Sequence, residues 1–186
     1  MSFYTNSGKM IDMAKPDMDS FCGEDIAHAL SMVCRATGNF RHFYSVAQHS
    51  LNCMREAQAR GFSQRVCFAC LLHDASEAYL CDVPTPLKEL LPDYRKIEKA
   101  FQREIFKKFG LYPLSGEEER MVKIIDEALL YYEFKCLHTI PICFEKTPQL
   151  CSVPNVEKMD MGAVEQMMLR EINAFERLIM TTWEVG

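Results

Sequence analysis

Three ionisable groups stand close together in His73-Asp74-Ala75-Ser76-Glu77, directly after Val66 through Leu72, a run that is apolar throughout. Burying such groups uncompensated is costly. On a helix His73 and Glu77 share a face, whereas Asp74 lies about 100° round from His73, so the adjacent pair can address one ion only near a helix end or where the helix bends. A lone His-Asp pair supports two readings: a core histidine bonded to a carbonyl, or half of a metal site. Asp126 and His49 bear on the choice. Helical spacing aligns Asp126 with Val122, Leu129 and Leu130, which puts a carboxylate on a face that should be buried, where it needs a cation or several donors. His49 falls in the first turn of its helix, in line with Val46 and Cys53. Two imidazoles and two carboxylates from three helices form a mixed nitrogen and oxygen set. That set suits Zn, Mn, Fe or Co and ill suits Ca or Mg, which favour oxygen alone. With four candidates together, a metal site is favoured over a purely structural network.

The elements that must carry these groups are mostly helical. Phe3-Tyr4-Thr5 and Met10-Ile11-Asp12-Met13 flank the turn-like Asn6-Ser7-Gly8 and read as a small hairpin. From Glu24 the apolar residues Ile26, Leu30 and Val33 fall three or four apart, up to a break at Gly38-Asn39. Ser45 with Gln48 has the spacing of a capping box and predicts a helix to about Gly61; Ser63 caps the next. Asp82-Val83-Pro84-Thr85-Pro86 breaks the pattern, because each proline lacks a donor and disfavours helix in the residue before it. A helix is predicted over 93–109, stopping at Gly110. Another opens at the Ser115 and Glu118 box and reaches about Phe134. Residues 135–159, with Pro141, Pro148 and Pro154, read as a long loop of the kind that can serve as a lid. Residues 160–182 form a last amphipathic helix whose Met167, Met168 and Met180 are core or contacts between copies in a homo-oligomer. The expectation is a single all-α domain over 1–186 with a small hairpin in 1–20.

Composition narrows the partners. The 186 residues are 48% apolar and 25% charged, as in ordinary globular proteins, and the net charge is -5. An acidic balance gives no basic face for a long nucleic acid, so a small-molecule partner is expected. The N-terminus lacks an apolar signal core, and no window approaches the roughly 18 apolar residues of a membrane span. Nine cysteines scattered through apolar stretches are read as reduced thiols of a cytoplasmic protein, Cys67 and Cys70 included.

The order His49, then His73-Asp74, then Asp126 resembles the H…HD…D signature of the HD-domain phosphohydrolases, an all-helical superfamily that cleaves phosphoester and phosphoanhydride bonds. The resemblance covers residues 24 to about 133. The stretch from His73 through Asp82-Val83-Pro84-Thr85-Pro86-Leu87-Lys88 is similar to the matching segment of bacterial 5′-deoxynucleotidases. The segments Asp25 to Arg35 and Phe43 to Ser50 are similar to small prophage-encoded HD hydrolases. This implies one transition metal on His49, His73, Asp74 and Asp126, with Mg as the partner of a triphosphate substrate. It also implies a nucleotide substrate, with Glu77 orienting water or exchanging its proton and Asp82 protonating the leaving 5′-oxygen or holding a sugar hydroxyl. Arg35 matches a phosphate-binding arginine. Lys88 is a phosphate candidate or, equally, a solvated helix charge, and His28 faces the site or is a satisfied core histidine. Ala36 stands where those deoxynucleotidases carry tryptophan, a departure in the base and sugar pocket. Two activities follow, a nucleoside monophosphate phosphatase and a deoxynucleoside triphosphate triphosphohydrolase. A noncatalytic nucleotide sensor is the reading from outside enzymology.

Overall fold

Two capping boxes fix where the site-bearing helices begin. Ser45 accepts from the Gln48 amide at 3.1 Å while Gln48 accepts from the Ser45 amide, and Ser115 and Glu118 repeat the arrangement. Each box satisfies backbone donors that a helix start otherwise leaves orphaned. The computed structural model describes residues 2–140, 142 and 148–183, with side chains to residue 179. Its helices are α1 (Gly23–Met32), α2 (Val46–Ala59), α3 (Gln64–Leu72), α4 (Glu77–Leu80), α5 (Thr85–Leu90), α6 (Pro92–Lys108), α7 (Gly116–Leu137) and α8 (Met161–Trp183). They are preceded by a two-stranded antiparallel hairpin, β1 (Ser2–Tyr4) and β2 (Met10–Asp12), in which Phe3 pairs with Ile11. The architecture is all-α with one small hairpin, as the sequence leads one to expect.

Helix α3 is the centre of the molecule, since every residue from Val66 to Leu72 is buried. Helices α2 and α7 pack along it, and α1 packs on α8. Cys67 and Cys70 belong to this interior, and the eight described cysteines are free thiols. Met168 is core and Met167 packs against it, while the side chain of Met180 lies outside the described residues. None of the described helices is long and apolar enough to cross a membrane.

Gly23 marks the closest approach of α1 to α8: a Cβ there would stand 2.7 Å from Cγ2 of the buried, β-branched Ile172. Gly23→Ala is therefore expected to cost about 1–3 kcal/mol through overpacking, seen as a lower urea midpoint at unchanged slope.

Three expectations are revised. Thr85–Leu90 is a helix despite its prolines, because Pro86 sits in the first turn, where a missing N–H removes no bond. Helix α7 runs on to Leu137. The end of the long loop is no free lid. Successive side chains on one face of α2 hold its backbone: Gln48 donates to the Glu157 carbonyl, Asn52 exchanges two bonds with Asn155, and Glu56 accepts from the amides of Cys151 and Ser152 and from the Ser152 hydroxyl. Residues 141 and 143–147 of the expected loop lie outside the described residues. Burial alone would raise the Glu56 pKa, but the Ser152 hydroxyl, the Cys151 amide and Arg60 outweigh it, and the net shift is downward. A depressed folded pKa gives stability that is present above the usual carboxylate range and lost as pH falls through the folded value. Glu56→Gln should thus cost about 1–3 kcal/mol near neutrality. In denaturation curves at several pH values, its deficit against the parent should shrink in acid.

Candidate metal centre and cleft

Helix α3 ends at Leu72, and residues 73–76 form a turn before α4. This break lets two consecutive residues, His73 and Asp74, face one point, the helix-end arrangement that their adjacency requires. Gln102 of α6 clamps the turn, donating to the Leu72 carbonyl at 2.7 Å and accepting from the Ser76 amide at 3.0 Å. His49 comes from the first turn of α2 and Asp126 from the middle of α7. His49 Nε2 lies 3.3 Å from His73 Nε2 and 3.1 Å from Asp126 Oδ1. Asp74 Oδ2 stands 3.1 Å from His73 Nε2 and 3.9 Å from His49 Nε2. One atom from each residue falls within 4.8 Å of all the others. Adjacent ligands at about 2.1 Å from one ion stand roughly 3.0 to 3.4 Å apart, so the group fits a single ion, and an ion with a coordination number above four would keep positions open beyond these residues.

The outward nitrogens decide what these atoms need. His73 Nδ1 is 2.8 Å from the Cys70 carbonyl, an acceptor only, so Nδ1 carries the hydrogen. His49 Nδ1 is 2.8 Å from the Glu133 carboxylate and likewise donates. Both neutral rings then turn Nε2 lone pairs inward, onto each other and onto two carboxylate oxygens. Four acceptors facing one another require a cation, either a metal ion or protons on the rings. Burial disfavours a charged His73, but Asp74 and Asp126 overcome it and raise its pKa well above the ordinary value; His49 is raised too, mainly by Glu133 and Asp126 against burial and Arg35. Burial would raise Asp74, yet the neighbouring His73 brings it down to about 2.

Glu133 is the residue sequence reasoning missed. It is fully buried on α7, accepting from Arg35 Nε at 2.9 Å, from the Tyr44 hydroxyl at 2.8 Å and from His49. Such a carboxylate fixes the tautomer and ring orientation of a metal-ligating histidine. A signal was present, since Glu133 follows Asp126 by two helical turns and therefore shares its face.

Arg35 reaches the cluster from the connection between α1 and α2. Its amide bonds the Tyr44 carbonyl and Val46 bonds Val33, so the two ends of that connection run side by side. Besides Glu133, its guanidinium faces Asp74 at 3.4 Å and Asp126 at 3.6 Å. After it, Ala36 and Thr37 adopt left-handed φ values of 53° and 50°, which cost roughly 1–2 kcal/mol each for residues with a Cβ. Asp82 accepts from the Ala36 amide at 3.0 Å and helps to hold this turn.

A cleft of about 310 Å³ opens beside the cluster, and Arg35, Ala36, Asp74, Glu77, Asp82, Lys88 and Asp126 all line it. Val83, Pro84, Leu130 and Phe134 supply apolar wall. Lys88 contacts Glu77 at 3.3 Å and also pairs with Glu98. Glu77 is buried, and its Oε2 has no hydrogen-bond partner among the described residues. Burial, then the charges of Asp74 and Asp82, push its pKa well above the usual carboxylate range against the opposing charges of Lys88 and Arg35. His28 is not brought here. It lies about 200° round α1 from the buried Ile26 and Leu30, pairs with Glu165 of α8 at 3.1 Å, and lines a different cleft beside the hairpin.

A family model described as HD domain matches residues 30–140, more than half of the chain. The chain belongs to the HD-domain superfamily. HD domains bind divalent metals, and the superfamily is one of metal-dependent phosphohydrolases, which is the class of this protein. The chain is 41% identical over 126 residues to the uncharacterized protein YfdR of Escherichia coli (strain K12), covering 67% of this chain and 68% of that one. It is 37% identical over 127 residues to an uncharacterized protein of Rhodobacter capsulatus, RCAP_rcc00048, covering 64% of each.

Proposed function

We propose that this HD domain hydrolyses the phosphoester of (deoxy)nucleoside monophosphates, with one divalent transition metal held by His49, His73, Asp74 and Asp126. The observation that carries the reading is a cluster of four inward-facing acceptors at the head of a cleft that also holds the buried Glu77, one of whose oxygens has no hydrogen-bond partner among the described residues and whose pKa is raised. The mixed donor set favours Zn, Mn, Fe or Co. Bound there, the ion would polarise a phosphoryl oxygen and acidify a water.

The other residues divide the remaining work. Arg35 presents its guanidinium to the phosphoryl group, and Lys88 flanks it. As the water oxygen bonds to phosphorus and the phosphorus–oxygen bond to the nucleoside breaks, Glu77 gives its proton to the departing oxygen. The proton lost by the water returns Glu77 to its neutral form. Asp82 keeps a carboxylate at the cleft wall for a sugar hydroxyl while fixing the Ala36 turn. The apolar wall of Val83, Pro84, Leu130 and Phe134 suits a base. The likeness of residues 73–88 to bacterial 5′-deoxynucleotidases supports the same substrate.

Phosphate release from a panel of nucleoside mono- and triphosphates, with divalent metals added back to stripped protein, tests the proposal. Orthophosphate from monophosphates is expected. Tight nucleotide binding without turnover under any metal would instead establish a sensor. Glu77→Gln keeps the shape but carries no transferable proton, so kcat should fall about 10²- to 10⁴-fold, with a much smaller change in monophosphate KM.

A further inference from the structure

Between Asn155 and His49 runs an unbroken series of hydrogen bonds. Asn155 lies on the strap, the stretch 151–157 that Gln48, Asn52 and Glu56 hold against α2. Its amide donates to Asn52 Oδ1 at 3.1 Å, and its carbonyl accepts from Asn52 Nδ2 at 2.9 Å. The same Nδ2 donates to the Tyr44 hydroxyl at 2.9 Å. That hydroxyl gives its hydrogen to Glu133 Oε1 at 2.8 Å, the oxygen that also receives His49 Nδ1. Asn52, Tyr44, Glu133 and His49 are all buried. The hydrolysis outlined above assigns no work to Asn52 or Tyr44.

The direction of these bonds is set at the strap. A backbone amide only donates and a carbonyl only accepts, so Asn155 permits one orientation of the Asn52 carboxamide. Turned over, the carboxamide would set its NH₂ against the Asn155 amide and its oxygen against the carbonyl, losing both bonds, and would offer the Tyr44 hydroxyl a second acceptor. In the orientation present, Tyr44 faces a donor on one side and a carboxylate on the other. Its hydrogen has one destination. Glu133 Oε1 is thereby held between two donors while Arg35 holds Oε2. Buried polar networks of this kind couple their members beyond the sum of the pairs. We propose that Asn52 and Tyr44 are positioning residues of the metal centre, through which the docked strap fixes Glu133 and the direction in which His49 turns Nε2. The inference rests on the metal reading above.

Co(II) titration of the stripped full chain tests it in the parent, Tyr44→Phe, Asn52→Leu, their double variant and Glu56→Gln. Gln48 and Glu56 still hold the strap in Asn52→Leu, and Tyr44→Phe leaves the strap's bonds to α2 in place, so urea curves of the two separate loss of fold from loss of metal. The direct partner of a ligating histidine is worth about 10- to 100-fold in metal affinity, and Tyr44 and Asn52 act one and two bonds further out, so each single variant should weaken Co(II) binding about three- to tenfold. The double variant should lose no more than Tyr44→Phe alone, because Asn52 acts through the hydroxyl that phenylalanine lacks. Glu56→Gln loosens the strap without touching this series of bonds and should change Co(II) affinity less than about twofold. Unchanged affinity in Asn52→Leu, losses that add in the double variant, or an equal loss in Glu56→Gln would overturn the proposal. Failure of the metal reading looks different: the parent itself takes up no Co(II), and the positioning role falls with it.

Discussion

Glu133→Gln is expected to lower the affinity of stripped protein for its metal about 10- to 100-fold and to cost the folded state about 3–5 kcal/mol. Both effects come from one buried carboxylate. Its two oxygens receive Arg35, the Tyr44 hydroxyl and His49 Nδ1. An amide in its place has one acceptor oxygen and turns an NH₂ group towards donors, leaving Arg35 without its main counter-charge and His49 free to take the other tautomer. Burial would raise the Glu133 pKa, but the His49 and Arg35 charges bring it below the ordinary value, so the carboxylate form is present near neutrality. Metal titration reads the first effect and urea denaturation the second. A purely structural Glu133 would move the latter alone.

Metal addition is the second large effect. Stripped protein should show no turnover, and an ion at a thousand times its Kd should stabilise the fold by about 4 kcal/mol. Zn, Mn, Fe or Co should give the rise and Ca should not. The rise depends on pH in a defined sense. Asp74 and Asp126 lift His73, and Glu133 and Asp126 lift His49, so both rings keep protons to higher pH than usual. The ion must displace those protons, and metal stabilisation should therefore grow as pH rises from mildly acidic to mildly alkaline. Thermal scans with and without metal at two pH values measure it.

What could be read in the sequence was local. The boxes at Ser45 and Ser115, the hairpin turn and the cap at Ser63 each depend on residues within a few positions of one another. His49 and Asp126 were recognisable because a polar group on an apolar stripe breaks a periodic pattern. Glu133 breaks it in the same way two turns on, but its meaning depends on Arg35 and Tyr44, some ninety residues earlier. Distance in the chain also hid the strap: Asn52 and Glu56 find partners 95 to 103 residues away. His28 shows the converse, a plausible residue on a short helix whose orientation was set by packing on α8 rather than by its neighbours in sequence. Thr85–Leu90 was hidden by prolines, which signal a break in mid-helix and a start in the first turn. Arg35 was singled out only through the family resemblance, and nothing local in the sequence marked it as the link that ties Glu133 to both aspartates.

The most direct measurement is a titration of stripped protein with Co(II), following the visible absorption that arises when protein ligands replace water around the ion. One equivalent per chain is predicted, with binding severely weakened in His73→Ala and in Asp126→Ala. Tight Co(II) binding with an unchanged spectrum in both variants would contradict the metal centre.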